Sequence, residues 1–270
     1  MKCIDISPAV VNKYLTTQIT LKALAKELGI SDFTLGRRFK KMGVTVRQVP
    51  PTGIKYACNT QYFQTIDSEE KAYWLGFILA EGWLATEYDK RNTTTRLRFG
   101  IELSSVDHAH LVKFKTAVNS EAPISKRKRK SKNKITELSC IRIADKAFCT
   151  CFLQYFNVGK KSDNIRVPAI PDELLRHFVR GYFDGDGCIM KEGHLSFTSN
   201  SLGMLTDLQQ IFSTHISTFT ELPRMYKYKK CYKFIKSKFK ALPIYEYMYQ
   251  DATIMLDRKY NRYCQIFGLV

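Results

Sequence analysis

Two stretches of this chain repeat one pattern, and it restricts the fold more than any other feature. They are Tyr73-Trp74-Leu75-Gly76-Phe77-Ile78-Leu79-Ala80-Glu81-Gly82 and Phe178-Val179-Arg180-Gly181-Tyr182-Phe183-Asp184-Gly185-Asp186-Gly187. Both are apolar runs with small residues four apart, and each ends in an acid and a glycine. On a helix, positions i and i+4 share one face, so Gly76 with Ala80, and Gly181 with Gly185, form flat stripes poor in side chain. Such stripes let two helix backbones approach closely. Gly82 and Gly187 are placed as left-handed stops at the helix C-termini. If the helices pack together, Glu81 and Asp186 emerge side by side at one end. There each carboxylate meets the negative end of its helix dipole, at a cost of roughly 0.3–1 kcal/mol, and the two repel each other. A divalent cation between them reverses the sign of both effects. The plain alternative is two buried helices whose acids face water.

The paired segments resemble the signature motifs of the LAGLIDADG homing endonucleases, in their single-chain, two-motif form. Aligned on their final glycines, residues 74–82 and 179–187 stand where the family signature stands, and the resemblance covers roughly residues 64–270. It implies that the metal-binding acids are Glu81 and Asp186. The earlier acid of the signature is kept as Asp184 but is Leu79 in the first copy, at a position the family varies. Glutamate at position 81 has family precedent. The implied fold is a single-chain pseudo-dimer with two saddle-shaped sheets.

Charge agrees with a polyanionic partner. The 270 residues carry a formal net charge of +18. Nucleic acid is favoured over an anionic membrane surface, because no stretch approaches the ~18 consecutive apolar residues of a span. A hydrophobic content of 44% supports real cores, so the chain is not disordered. The N-terminus lacks a signal-peptide core and is not of the Arg/Ser-rich transit type. Eight cysteines include no C-x-x-C pair, and Cys149 and Cys151, two apart, have the wrong spacing for a zinc knuckle. They read as reduced thiols of an intracellular, reducing compartment. None of the histidines, including His108 and His110, reads as a metal ligand.

Along the chain, residues 1–46 read as a small all-α helix-turn-helix domain. A helix follows Ser7-Pro8, a second contains Leu21, Leu24, Ala25 and Leu28, and Gly29 ends it. Ser31 caps a third helix, over 32–42, that buries Phe33, Leu35 and Phe39 and shows Arg37, Arg38, Lys40 and Lys41. Those cations on the helix that would enter the groove favour DNA binding over an anonymous three-helix cap. Residues 47–66, with Pro50-Pro51 and Gly53, read as a linker. The first repeat, 67–157, starts at a capping-box-like Asp67/Glu70. Strands follow at 83–86 and 94–103, then a helix bearing Val106, Leu111, Phe114 and Val118, strands at 124–129 and 136–143, and a helix over 146–155. After a linker at 158–171, the second repeat, 172–270, has the same order: a helix to Asp186, strands at 188–190 and 195–198, a helix capped by Ser199 or Ser201, strands at 224–228 and 232–235, and terminal helices. The fold class is α+β: two pseudo-symmetric helix–hairpin–helix–hairpin–helix repeats with antiparallel sheets, plus the N-terminal domain.

Two basic clusters lie at matching places in the repeats: Lys126, Arg127, Lys128, Arg129 and Lys130 in the first; Arg224, Lys227, Lys229, Lys230 and Lys233, interleaved with tyrosines, in the second. Paired basic ribbons suit a protein straddling a duplex, with lysines neutralising phosphates and strands narrow enough for the major groove. The function expected is a site-specific double-strand DNA endonuclease acting in the homing of a mobile element. Its cofactor is Mg²⁺ (or Mn²⁺) at Glu81 and Asp186, its partner a long asymmetric target site, and its state a monomer. By position at the end of each second hairpin, Arg142 and Lys236, with Lys238 close behind, are the candidate assisting cations. Lys259 is expected to pin the terminal helix or a phosphate. The alternatives are a non-cleaving DNA-binding regulator and an intron RNA-splicing maturase.

Overall fold

The computed structural model describes residues 6–16, 19, 21–44, 56–89, 94–131, 134–155, 164–220, 224–228 and 231–269. They fall into two compact units, Met1–Gly53 and Ile54–Val270.

In the first unit, α1 (Pro8–Thr16), α2 (Leu21–Glu27) and α3 (Asp32–Lys41) enclose Tyr14, Leu24, Ala25, Leu35 and Phe39. Gly29 has φ +65°, the left-handed conformation that ends α2 cheaply. Ser31 caps α3, its Oγ accepting from Thr34 N at 3.2 Å. Phe33, expected inside, is 78% exposed. The buried pair Leu35 and Phe39 is spaced i,i+4, and Phe33 precedes Leu35 by two, which turns it off that face.

The second unit opens with Tyr62, Phe63 and Ile66 in the core, Phe63 lying 5.1 Å from the Phe152 ring. This corrects the linker reading at its C-terminal end: a short aromatic stretch without a period is still apolar surface, and it packs. Then come α4 (Glu69–Glu81), β1 (Gly82–Asp89), β2 (Thr94–Ser104), α5 (His108–Ala117), β3 (Ser125–Ser131), β4 (Lys134–Ile143) and α6 (Lys146–Thr150). The second repeat supplies α7 (Leu175–Asp186), β5 (Gly187–Ile189), β6 (Leu195–Ser199), α8 (Leu202–His215), β7 (Tyr226–Tyr228), β8 (Cys231–Lys236) and α9 (Lys238–Tyr249), and α10 (Asp257–Phe267) follows. No described helix is long and apolar enough to cross a membrane.

The sheets have the same order, β1-β2-β4-β3 and β5-β6-β8-β7, with every pairing antiparallel. Alternation sends Phe99, Ile101, Ile141 and Ile143 of one sheet, and Leu195, Phe197 and Phe234 of the other, into one core. Leu111 and Phe114 of α5, with Val118, pack beneath the first sheet, but Val106 is 76% exposed because it sits in the 3₁₀ turn before the helix. Ser68, not Asp67, caps α4, and Asp67 instead pairs with Lys71 at 2.8 Å. Ser201 caps α8. The helix expected over 146–155 stops at Thr150 and continues as turns. Lys229, Lys230 and the linker residues 158–163 lie outside the described residues.

Candidate functional site

Helices α4 and α7 run through the centre of the second unit, buried on all sides over residues 72–80 and 177–184. The contact is backbone to backbone. A Cβ placed on Gly76 would stand 2.0 Å from Phe178 O, and one on Gly181 would stand 1.9 Å from Tyr73 O. These are reciprocal positions of a near-symmetric crossing. At its end, a Cβ on Gly185 would meet Ala80 Cβ at 2.2 Å and Glu81 Cγ at 3.2 Å. The C-terminus of α4 thus lies against that of α7, and Glu81 and Asp186, each the last residue of its helix, come out together, half-buried. The closing glycines act otherwise than expected. Gly82 (φ −70°, ψ 157°) and Gly187 (φ −84°, ψ 164°) are extended, not left-handed. What excludes a side chain there is contact: a Cβ would stand 2.6 Å from Ile78 O at one and 2.1 Å from the Phe183 ring at the other.

Asp184 is 2% exposed. It accepts from Tyr73 Oη (2.8 Å), Leu256 N (2.7 Å) and Tyr249 Oη (3.2 Å). Because Tyr73 donates to Asp184, His110 Nε2, 2.9 Å from Tyr73 Oη, is the protonated nitrogen and donates to it. Burial pushes the Asp184 carboxyl up, opposed by Lys259 and these donors, and burial brings His110 down to about 3. Lys259 Nζ donates to Phe183 O (2.6 Å), Asp184 O (2.8 Å) and Gly187 O (2.6 Å), closing the carbonyl end of α7 around Asp186. Burial lowers its pKa while Asp184, Glu81 and Asp186 pull the other way, so both terminal acids lie within its field. Its neighbours reach across to the first repeat: Arg258 is bidentate to Asp107 (3.0 Å each) and Asp257 accepts from Lys113 (2.7 Å). Arg180, wholly buried on α7, donates to Ile254 O (2.8 Å), Met248 O (2.6 Å) and Glu69 Oε1 (2.6 Å).

Outside the core, strand alternation sorts the charges of the first sheet. Arg96, Arg98 and Glu102 of β2 share the face opposite Phe99 and Ile101, and the register puts Arg127, Arg129 and Arg142 on that same face. Arg127 and Arg129 both pair with Glu102, and Arg98 pairs with Glu87. Trp83 lies over Gly100, and the Arg142 guanidinium stands 6.0 Å from its ring. Lys126, Lys128 and Lys130 point from the other side of the strand.

A family model described as LAGLIDADG-like domain matches residues 173–241. That match covers about a quarter of the chain, within the second repeat. The two-repeat architecture of the second unit is that of the LAGLIDADG fold. The homing endonuclease I-WcaI bound to its DNA recognition sequence superposes with a TM-score of 0.50 at 14% identity, over 79% of this chain and 94% of that one. The LAGLIDADG meganuclease I-AabMI bound to uncleaved DNA aligns with a TM-score of 0.48 at 14% identity, over 73% and 90%. A probable translation initiation factor IF-2 of Methanocaldococcus jannaschii is 34% identical over 90 residues, which are 32% of this chain and only 7% of that protein's length.

Within the LAGLIDADG fold, the residues singled out in the sequence separate. Glu81 and Asp186 are brought together. Arg142 and Lys236, expected as a matched pair, are not equivalent: Gly82, Ile101 and Ile141 align across one sheet as Gly187, Phe197 and Phe234 do across the other. That register matches Arg142 with Ile235 and Lys236 with Ile143. Lys236 accordingly faces the core, its Nζ 4.3 Å from the Phe219 ring centroid, and is 6% exposed. Lys238 lies against the hairpin turn at Gly193, its Nζ 5.4 Å from the Phe267 ring. Lys233 is on the outer face, Lys227 on the other, and Arg224 is exposed ahead of β7. Arg37 and Lys41 are exposed on α3 and Arg38 is half-buried. Sequence reasoning missed Arg180; a lone arginine inside an otherwise apolar helix run was the available signal.

Proposed function

We propose that the chain is a site-specific DNA endonuclease whose LAGLIDADG helices present Glu81 and Asp186 to the two strands of a duplex. The observation that carries this reading is the helix crossing, which sets two carboxylates at adjoining helix ends where neither gains from its own dipole. The donor set fits a divalent cation completed by substrate. No group of three or more candidate metal ligands occurs among the described residues, and Mg²⁺ characteristically uses one or two carboxylates together with phosphates and water. Glu81 and Asp186 would hold the metal; when bound, it lowers the pKa of water and neutralises phosphate charge. The chain's own residues do the rest. Gly76 and Gly181 fix the separation of the helices, Lys259 holds the carbonyl end that carries Asp186, and the arginine face beside β1 approaches the duplex. Arg142, one register step from the strand start at Gly82, is the cation best placed to assist on the Glu81 side. The basic face of α3 adds DNA contact from the first unit in the manner of a helix-turn-helix.

The test is Asp186→Asn with a plasmid carrying a selected site. Cutting in Mg²⁺ should fall by several orders of magnitude, while binding in EDTA changes less than about threefold. Equal cutting by variant and wild type removes the catalytic assignment. A wild-type chain that binds and never cuts is a regulator, and one that instead stimulates intron splicing is a maturase.

A further inference from the structure

The two sheets share an order and a register, so their outer faces can be compared position by position. On the first, the described residues include five arginines, Arg96, Arg98, Arg127, Arg129 and Arg142, together with Glu87 and Glu102. On the second, the same alternation places Cys188, Thr198, Tyr226, Lys233 and Ile235 outward, and the cations there among the described residues are Lys233 and, just ahead of β7, the exposed Arg224. Ile235, 36% exposed, stands where the first sheet carries Arg142, and Tyr226, 50% exposed, pairs with Lys233 where the first sheet pairs Ser125 with Cys140. Of the basic cluster in the second repeat, Lys227 alternates to the other side, and Lys229 and Lys230 lie outside the described residues.

These faces fit different base pairs. A guanidinium donates a bidentate pair to guanine O6 and N7, and a carboxylate accepts from the amino group of the paired cytosine. Glu102, touching both Arg127 and Arg129, and Glu87, touching Arg98, therefore supply both halves of a G·C contact. The same acids repel phosphate, which turns these arginines from the backbone towards base edges. Residues two apart on a strand are about 6.8 Å apart, close to two base-pair steps, so Arg127 and Arg129 can address separate pairs on one groove wall. Among the described strand residues of the second face there is no arginine. An aliphatic side chain meets the thymine C5-methyl group, and hydroxyls accept or donate to either base of an A·T pair.

We propose that the chain reads a target of split composition: G·C pairs in the half-site under the β1–β4 sheet, A·T pairs in the half-site under the β5–β8 sheet. This rests on the proposed DNA-binding function and specifies its substrate, but it does not require cutting.

The experiment is a binding selection from a randomised duplex library with the full chain in EDTA, repeated with Arg127→Ala/Arg129→Ala and with Tyr226→Ala/Ile235→Ala. The wild type should enrich duplexes with G·C pairs clustered on one side of the centre and A·T pairs on the other. The arginine variant should lose discrimination at the G·C positions alone, on the order of ten- to a hundredfold. The tyrosine/isoleucine variant should relax only the A·T half. Enrichment of the same composition in both halves, or variants that relax both halves together, overturns the proposal, as does failure to enrich any duplex. A clean split from a chain that never cuts in Mg²⁺ leaves it standing and removes the nuclease reading alone. Circular dichroism and melting of each variant identify any that has failed to fold.

Discussion

Asp184 and His110 show how one residue position can be decisive without meeting a ligand. The aspartate lies two positions before Asp186, yet one helical residue step is 100° and the two carboxylates face different ways: one into a cage of hydroxyls and a backbone amide, one to the helix end. His110 closes that cage through Tyr73 and is kept neutral. Its depressed pKa sets the sign of a pH effect. The folded form resists protonation down to about 3, whereas the unfolded histidine protonates near 6.5. Stability is therefore full above pH 6.5 and falls as acid is added, by about 1.4 kcal/mol per pH unit until the folded pKa is reached. His177, lowered to about 4 by burial and Arg180, adds in the same direction. Urea unfolding at pH 7.5 and 4.5 should show this loss, and His110→Gln should remove roughly half of it. An unchanged slope in the variant would place the acid sensitivity elsewhere.

At the scale of elements, the crossing of α4 and α7 decides the site, and its glycines are not interchangeable with other small residues. Gly181→Ala forces a methyl group to within 1.9 Å of a backbone oxygen that is itself fixed in a helix. Overpacking against side chains costs about 1–3 kcal/mol, and here nothing can rotate away, so a loss above about 3 kcal/mol is expected by thermal or urea unfolding. The same change at Gly36 in α3 meets only Leu21 Cδ2, at 3.4 Å, an ordinary contact. There the gain in helix propensity should dominate, and Gly36→Ala should raise stability by about 0.5–1 kcal/mol. Both repeats have a crossing helix, but among the described residues α10 has no counterpart after the first. Through Asp257, Arg258 and Lys259 it ties α5 and the turn before it in one repeat to the C-terminal end of α7 in the other. Pseudo-symmetry at the helix ends is thus incomplete: a buried ammonium closes the helix carrying Asp186.

For the whole molecule, the two hydrophobic cores share no residue among those described: one draws on residues 6–39 with partners to Val44, the other on residues from Tyr56 to Phe267. A chain of residues 54–270 should therefore fold cooperatively, with a melting temperature within a few degrees of the corresponding transition in the full protein. It should still cut selected sites at higher protein concentration, because the basic α3 face is gone while both acids remain. Melting followed by circular dichroism, together with a cleavage titration, checks both statements; loss of folded structure on truncation would show that the first unit completes the second.

The sequence alone determined the features that depend on local spacing. Small residues four apart gave the crossing, alternation gave two hairpins in each repeat, and acids ahead of matching glycines gave Glu81 and Asp186 as the central pair. What it left undetermined are the properties set by neighbours distant in the chain. A run such as Lys126–Lys130 is uniformly basic when read as text, but a strand turns successive residues to opposite faces, and only the pairing with β4 says which face is outward. Arg142 and Lys236 occupy similar places in their hairpins, yet a register offset of one residue puts one outside and the other over the Phe219 ring. Arg180 and Lys259 have partners up to 111 positions away. Burial of a charge depends on what packs around it, and that information exists only once the chain has folded back on itself.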